Sequence, residues 1–391
     1  MERTILLHVG LPKTGTTSLQ EFLGANAVAL LRQGFAYPLL GRKRDHKALA
    51  ISAMDWQSGR DEPLRGPFFH RGIATEADLE AYRATVAESF RTTMEALPPE
   101  VSTVILSCEH LSAFGAGELR RLRRLLLGFA DDVRVFGYFR RQDRYAVSIY
   151  SSYLRNGYRG SLEDLLSDLR DERTMPYDEV ADTFAEVFGQ EKLACCLFED
   201  ALTEADDIVV DFCRRHGIDG RELESPPRSN LAISREGQDF LRAFNRIQPT
   251  RPEGVERRML ALLNRVIEAG YLGEGYLPGR AAAMAFAESF AENNRRFRER
   301  WFPERERLFD EDFSRYPDSG GAVQAAIPEA PYRVAIDILR RWAEAEQEAP
   351  KQPRRGKGRQ QAEKRGGRAR EPLPAKRASL RPAGQTKRPK I

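Results

Sequence analysis

Cysteine is scarce: Cys108, Cys195, Cys196 and Cys213 are the only four in 391 residues, and no two form a C-x-x-C pair. That spacing excludes the usual zinc ligand sets, and no metal is expected. The thiols sit in apolar surroundings and read as core residues of a reducing compartment, so a cytoplasmic protein is expected. Adjacent Cys195 and Cys196 would point to opposite faces of a strand. Only five histidines are present (His8, His46, His70, His110 and His216), which limits the candidates for a base active near neutral pH. Apolar runs of about 18 residues are lacking, so no transmembrane helix is expected. The first apolar run starts at Thr4, which leaves no room for a signal peptide.

The formal net charge of +4 hides an asymmetry. Residues 351–391 hold 15 Lys/Arg against Glu363 and Glu371, whereas the first 350 residues hold 47 basic and 56 acidic residues. The segment 350–391 is rich in Arg, Lys, Pro, Gly and Gln and has almost no large apolar side chains. Such a composition cannot offset its chain entropy by burial, so a disordered basic tail is expected. It would contact a polyanion or an anionic membrane surface nonspecifically. Without interleaved aromatic residues it offers no sequence-specific nucleic-acid recognition.

Ahead of the tail, apolar runs at 4–9, 101–107, 132–139 and 192–198 alternate with helical patterns near 16–32, 76–96, 116–129, 142–156 and 177–189. This alternation predicts an α/β fold with a central parallel sheet flanked by helices. Runs apolar on both faces fit strands buried in such a sheet. Beyond residue 200 the pattern is helical, near 204–216, 233–246, 253–270, 279–300 and 331–347. The expected organisation is a domain over 1–349, with an α/β core at about 1–220 and a helical region at about 221–349, followed by the tail at 350–391.

The first strand run leads into Gly10-Leu11-Pro12-Lys13-Thr14-Gly15-Thr16-Thr17 and then a helix. A strand, a glycine-bounded loop and a helix N-terminus make a phosphate cradle from free amide groups and the helix dipole. The glycines have Walker A spacing, but Thr16-Thr17 follow where Lys-Ser/Thr is required, and the lysine lies inside the loop. An ordinary ATP or GTP site is therefore disfavoured, though a kinase with a variant P-loop stays open as an alternative. So does a polyanion-binding protein acting through its tail.

Pro12-Lys13-Thr14-Gly15-Thr16-Thr17 resembles the 5′-phosphosulfate loop of sulfotransferases that use 3′-phosphoadenosine 5′-phosphosulfate (PAPS). That family holds the 3′-phosphate with an arginine at a strand end and a serine eight residues later, and Arg140 and Ser148 match this pattern. Arg141 follows directly where relatives often have Asn-Pro; Arg140 is preferred as the phosphate ligand. Phe198-Glu199-Asp200-Ala201-Leu202 is similar to a later strand-end segment of the family, in which Glu199 would be structural. Arg228, within Pro226-Pro227-Arg228-Ser229-Asn230-Leu231, would match the late basic loop of some members.

The resemblance implies a P-loop-like sulfotransferase fold, PAPS as donor, PAP as product and no metal requirement. Lys13 would steady charge on the leaving oxygen, while Pro12, Thr14, Gly15, Thr16 and Thr17 frame the 5′-phosphate. A base must take the acceptor proton. Glu109, His110 and His46 are the candidates, with Glu109 slightly favoured, and adjacent Glu109 and His110 would diverge. The acceptor would be a glycan, a glycolipid or another small hydroxyl compound, with Trp56, Phe68, Phe69 and Tyr153 as candidate cleft residues.

Overall fold

The computed structural model describes residues 2–40, 44–57, 68, 71–224, 232–247 and 254–318, with parts of 331–341. Chain contacts separate Met1–Leu339 from Arg340–Ile391. The expected tail and Arg228 lie outside the described residues.

The chain runs β1 (Thr4–His8), α1 (Thr16–Ala25), α2 (Ala27–Arg32), β2 (Phe35–Ala36), α3 (Lys47–Ala53), α4 (Glu76–Glu95), β3 (Thr103–Ser107), α5 (Ala116–Leu126), β4 (Asp132–Phe139) and α6 (Gln142–Arg155). It continues through α7 (Leu162–Leu169), α8 (Tyr177–Phe188), β5 (Leu193–Leu197), α9 (Phe198–Ala205) and α10 (Ile208–His216). The helices α11 (Arg235–Ile247), α12 (Gly254–Gly270), α13 (Arg280–Glu288) and α14 (Ala291–Trp301) follow.

The five strands form one parallel sheet in the order β2-β3-β1-β4-β5, with Leu6 of β1 opposite Ile105 and Arg134. β1 is apolar on both faces because both are covered. Ile5 and Leu7 join one core with Leu106, Val135 and Phe184, while Leu6 joins another with Leu19, Phe22, Phe136 and Phe212. A third cluster packs α6 and α7 against the later helices through Tyr145, Ile149, Leu154, Leu241, Leu263 and Phe286. This is the α/β fold expected, with the later helices buttressing α6.

Three expected helices are interrupted. The first breaks at Asn26, whose amide Nδ2 donates to the Phe22 and Glu224 carbonyls and so ends α1. The pattern at 204–216 resolves into α9 and α10, because Asp206 turns left-handed (φ 59°) and the Asp207 side chain accepts from Val209 N to start α10. The span 279–300 breaks between α13 and α14.

Because all strands are parallel, their C-terminal ends lie along one edge. That edge gathers the loop after β1, Glu109 after β3, Arg140 after β4 and Glu199 after β5. β1 lies between β3 and β4, so the chain leaves it toward one side and returns on the other; ligands bind at such switch points in open α/β sheets.

Candidate active site

The loop after β1 keeps sheet-like pairing with β4: Val9 N donates to Phe136 O, Tyr138 N to Gly10 O and Leu11 N to Tyr138 O. It then turns through three left-handed residues, Gly10 (φ 91°), Lys13 (φ 64°) and Gly15 (φ 81°). At Gly15 a Cβ would stand 2.8 Å from Ile208 Cγ2, so glycine is required by space as well as by φ. At Gly10 a Cβ would stand 3.0 Å from the Glu109 backbone, so the loop and the β3 terminus are in close contact.

The threonines divide their tasks differently from expectation. Thr14 and Thr16 are buried, and both hydroxyls donate to Leu11 O, at 2.6 and 3.3 Å. They brace the loop, which leaves their backbone amides and the exposed Thr17 to face an anion. Gly15 gives α1 no side-chain cap, so the Thr16 and Thr17 amides at the helix start point toward the loop without a side-chain acceptor among the described residues.

The Lys13 ammonium makes no hydrogen bond or ion pair among the described residues. Burial lowers its pKa, and the nearby Arg155 and Arg140 guanidinium groups lower it further, against an opposing pull from Glu109. Arg140 Nη1 donates to Lys13 O at 2.9 Å, so the second motif is physically joined to the first across 127 residues of chain. Tyr177 OH donates to the Arg140 carbonyl at 2.5 Å and fixes the backbone there.

Arg140 and Arg141 have opposite fates. Arg141, 3% exposed, forms a fork to Asp143 (2.7 and 2.8 Å), reaches Asp310 and the Asp312 carbonyl, and lies 4.3 Å above the Phe313 ring. Its donors are used up in clamping the 302–318 segment. Arg140, 19% exposed, stacks 4.9 Å from the Phe198 ring and has only a long ion pair, 3.7 Å, with Glu199 Oε1. Its Nε–H is buried and has no hydrogen-bond partner, as is true of Arg144 Nε and Arg155 Nε.

Burial raises the Glu199 pKa, and Arg140 and Arg144 oppose that rise; Glu199 Oε2 accepts weakly from Arg141 N at 3.4 Å. Ser148 sits two turns into α6 on the face shared with Arg144, and its hydroxyl makes no hydrogen bond among the described residues.

Of the base candidates, Glu109 and His110 open a short 3-10 helix (Glu109–Ala113), with Glu109 half-buried beside the loop and His110 exposed. Burial raises the Glu109 pKa, Lys13 and Lys47 pull it back down, and Asp45 adds to the rise. His46 does not reach the site as a base. It is fully buried, its Nδ1 accepts from Ser107 N at 3.0 Å and its Nε2 donates to Pro38 O at 2.8 Å. Both ring nitrogens are spent on backbone, and burial holds the ring neutral; His46 pins the β2 end to β3.

His8 is likewise structural, its Nδ1 2.9 Å from Ser107 Oγ and its pKa pushed down to about 3 by burial and by His216. Phe68 is a core residue stacked on Trp56, which removes it from any cleft lining, and Tyr153 OH is engaged by Glu172. Phe69 and His70 lie outside the described residues. Sequence reasoning passed over Arg144 and Arg155, although the three- and four-residue spacing of α6 from Ser148 leads to both.

No protein-family model matches the sequence, and no curated protein matches it. Solved structures do. A sulfotransferase from Alicyclobacillus acidocaldarius is 16% identical, over 77% of this chain and 96% of its own, with a TM-score of 0.43. The sulfotransferase domain of the Synechococcus PCC 7002 olefin synthase is 13% identical, over 74% and 95%, with a TM-score of 0.35. The sulfotransferase domain from the curacin biosynthetic pathway is 11% identical, over 87% and 98%, with a TM-score of 0.30. What the site can do follows from its own residues.

Proposed function

We propose that this chain transfers a sulfuryl group from PAPS to an acceptor hydroxyl and releases PAP. One observation carries the reading: Arg140 is tied to the Lys13 carbonyl while the Lys13 ammonium and the Arg140 Nε–H both lack hydrogen-bond partners among the described residues. A donor with an anionic group at each end of its ribose needs two clusters of N–H donors a short distance apart, and the loop and the start of α6 provide them. The free loop amides and Lys13 suit the 5′-phosphosulfate, and Arg140 with Ser148 suits the 3′-phosphate.

PAPS supplies a sulfuryl group already activated on a phosphate. Lys13 neutralises the negative charge that grows on the bridging oxygen as its bond to sulfur breaks. Glu109 accepts the proton as the acceptor O–H bond breaks and the new O–S bond forms, then passes it to water. A buried carboxylate with a raised pKa is the stronger base for that step. The acceptor is taken to be a glycan, glycolipid or other small hydroxyl compound. A cytoplasmic location is part of this proposal, supported by the four cysteines without a C-x-x-C pair. Its basic tail is assigned nonspecific polyanion contact.

Calorimetry with PAP and with ATP, each with and without EDTA, tests the donor. Tight PAP binding that ignores the chelator is the expected result. Magnesium-dependent ATP binding without PAP binding would replace this reading with the variant kinase.

A further inference from the structure

Arg155, in the last turn of α6, is the strongest unexplained group near the site. Seven residues separate it from Ser148, two turns of helix, so the two share a face. That places its Cα ~10 Å further from Arg140 along the helix axis. Side chains on a helix lean toward its N-terminus, which brings this guanidinium back toward the loop. Its charge acts on Lys13 ahead of those of Glu109 and Arg140.

None of its N–H groups makes a hydrogen bond among the described residues, and its Nε is buried without a partner. Glu268, itself exposed, approaches only to 3.7 Å, an ion pair too long for a hydrogen bond. The side chain is 23% exposed, so its outer N–H groups reach solvent, but the buried Nε–H has given up water without gaining an acceptor, and an anion would complete it. Both anionic ends of the donor are assigned ligands nearer the start of α6 in the reading above, which leaves Arg155 without a part in donor binding.

We infer that Arg155 forms an acceptor-side anion subsite, so that the preferred acceptor carries a carboxylate or phosphate near its reacting hydroxyl. This rests on the sulfuryl-transfer reading above. Glu268 keeps the guanidinium oriented without satisfying it, and a carboxylate or phosphate at hydrogen-bonding distance would displace that weak pairing.

The test measures labelled sulfate transfer from PAPS to D-glucose, D-glucuronate and D-glucose 6-phosphate, which share most of their hydroxyls and differ in charge. PAP affinity is measured in parallel by calorimetry on wild type, Arg155→Gln and Arg155→Lys. Wild type is expected to favour one anionic sugar over glucose by about 10- to 100-fold in kcat/KM, the range of a charge-assisted hydrogen bond. Which anion wins separates carboxylate from phosphate. Arg155→Gln should erase the preference with PAP affinity unchanged, and Arg155→Lys should restore part of it. Equal use of glucose overturns the inference, as does a preference that survives in Arg155→Gln. Weaker PAP binding in Arg155→Gln would assign the residue to the donor instead. A wild type that binds PAP but sulfates none of the three also overturns it, whereas a wild type that fails to bind PAP overturns the sulfuryl-transfer reading itself.

Discussion

Lys13 holds a left-handed backbone with a side chain attached, and this makes its replacement informative in two ways. The conformation at φ 64° costs an L-residue about 1–2 kcal/mol that glycine does not bear. Glycine gives back about 0.5–1 kcal/mol through the greater freedom of its unfolded chain. Lys13→Gly should therefore be more stable than Lys13→Ala by about 0.5–1 kcal/mol, although both delete the same ammonium. Both also relieve its repulsion with Arg155 and Arg140, so neither should fall far below wild type. Turnover tells the opposite story. Losing one preorganised donor at a developing charge costs about 10²–10³-fold, and both variants should lose that much. Urea denaturation of the three proteins, beside single-turnover sulfate transfer, measures the two effects on the same samples. Equal stability of the Ala and Gly variants would refute the strain argument. Near-wild-type turnover in either would refute the role given to the ammonium.

The neighbouring arginines should separate binding from folding. Arg140→Ala should weaken PAP about 10- to 100-fold in calorimetry with the fold intact, since Tyr177 bonds only its carbonyl. Arg141→Ala strands Asp143 in the core and should cost about 3–5 kcal/mol in urea denaturation; the reverse assignment of effects would mean the two roles are exchanged. Glu109 titrates above the ordinary carboxylate range, so turnover should fall as pH drops through that raised value, and Lys47→Gln should move the limb to higher pH. Glu109→Gln should lose about 10²–10⁴-fold in rate. Because the folded pKa is the higher one, ionised Glu109 opposes folding. The variant should thus gain stability at neutral pH, and the gain should vanish below the unfolded pKa of about 4.3; a gain that is flat with pH counts against this. Gly15→Ala should destabilise the protein less in an Ile208→Ala background than in wild type, because the Cγ2 atom it meets is gone; an equal cost in both backgrounds would place it all in the backbone.

How much of this was legible in the chain depended on whether the deciding partners were near in sequence. The central strands were visible because a parallel sheet covered on both faces demands unbroken apolar runs, and the loop and Arg140 were visible because each directly follows such a run. β2 has two residues and α3 seven, too short for any period to show. α7 is different: Ser161 and Asp164 form a capping box that announces its start, and that signal was available. His46 was misjudged because what disables it, the backbone of Pro38 and Ser107, converges only in the folded chain.

The choice between Arg140 and Arg141 turns on the same kind of distance. Arg141 is neutralised by Asp143 two residues away and by Asp310 across 169 residues, and Asp310 also takes Arg144. The carboxylates thus supply counter-charge to the arginines that hold the 302–318 segment and withhold it from Lys13, Arg140 and Arg155. Among the described residues Glu109, Glu199 and Glu268 oppose those three, none within hydrogen-bonding distance of their guanidinium or ammonium groups. A site left this cationic in a body that is otherwise acidic is stabilised by whatever anion enters it. Ligand affinity and local stability should therefore rise together, and the residues whose removal most weakens PAP binding should be those whose removal costs the unliganded fold least.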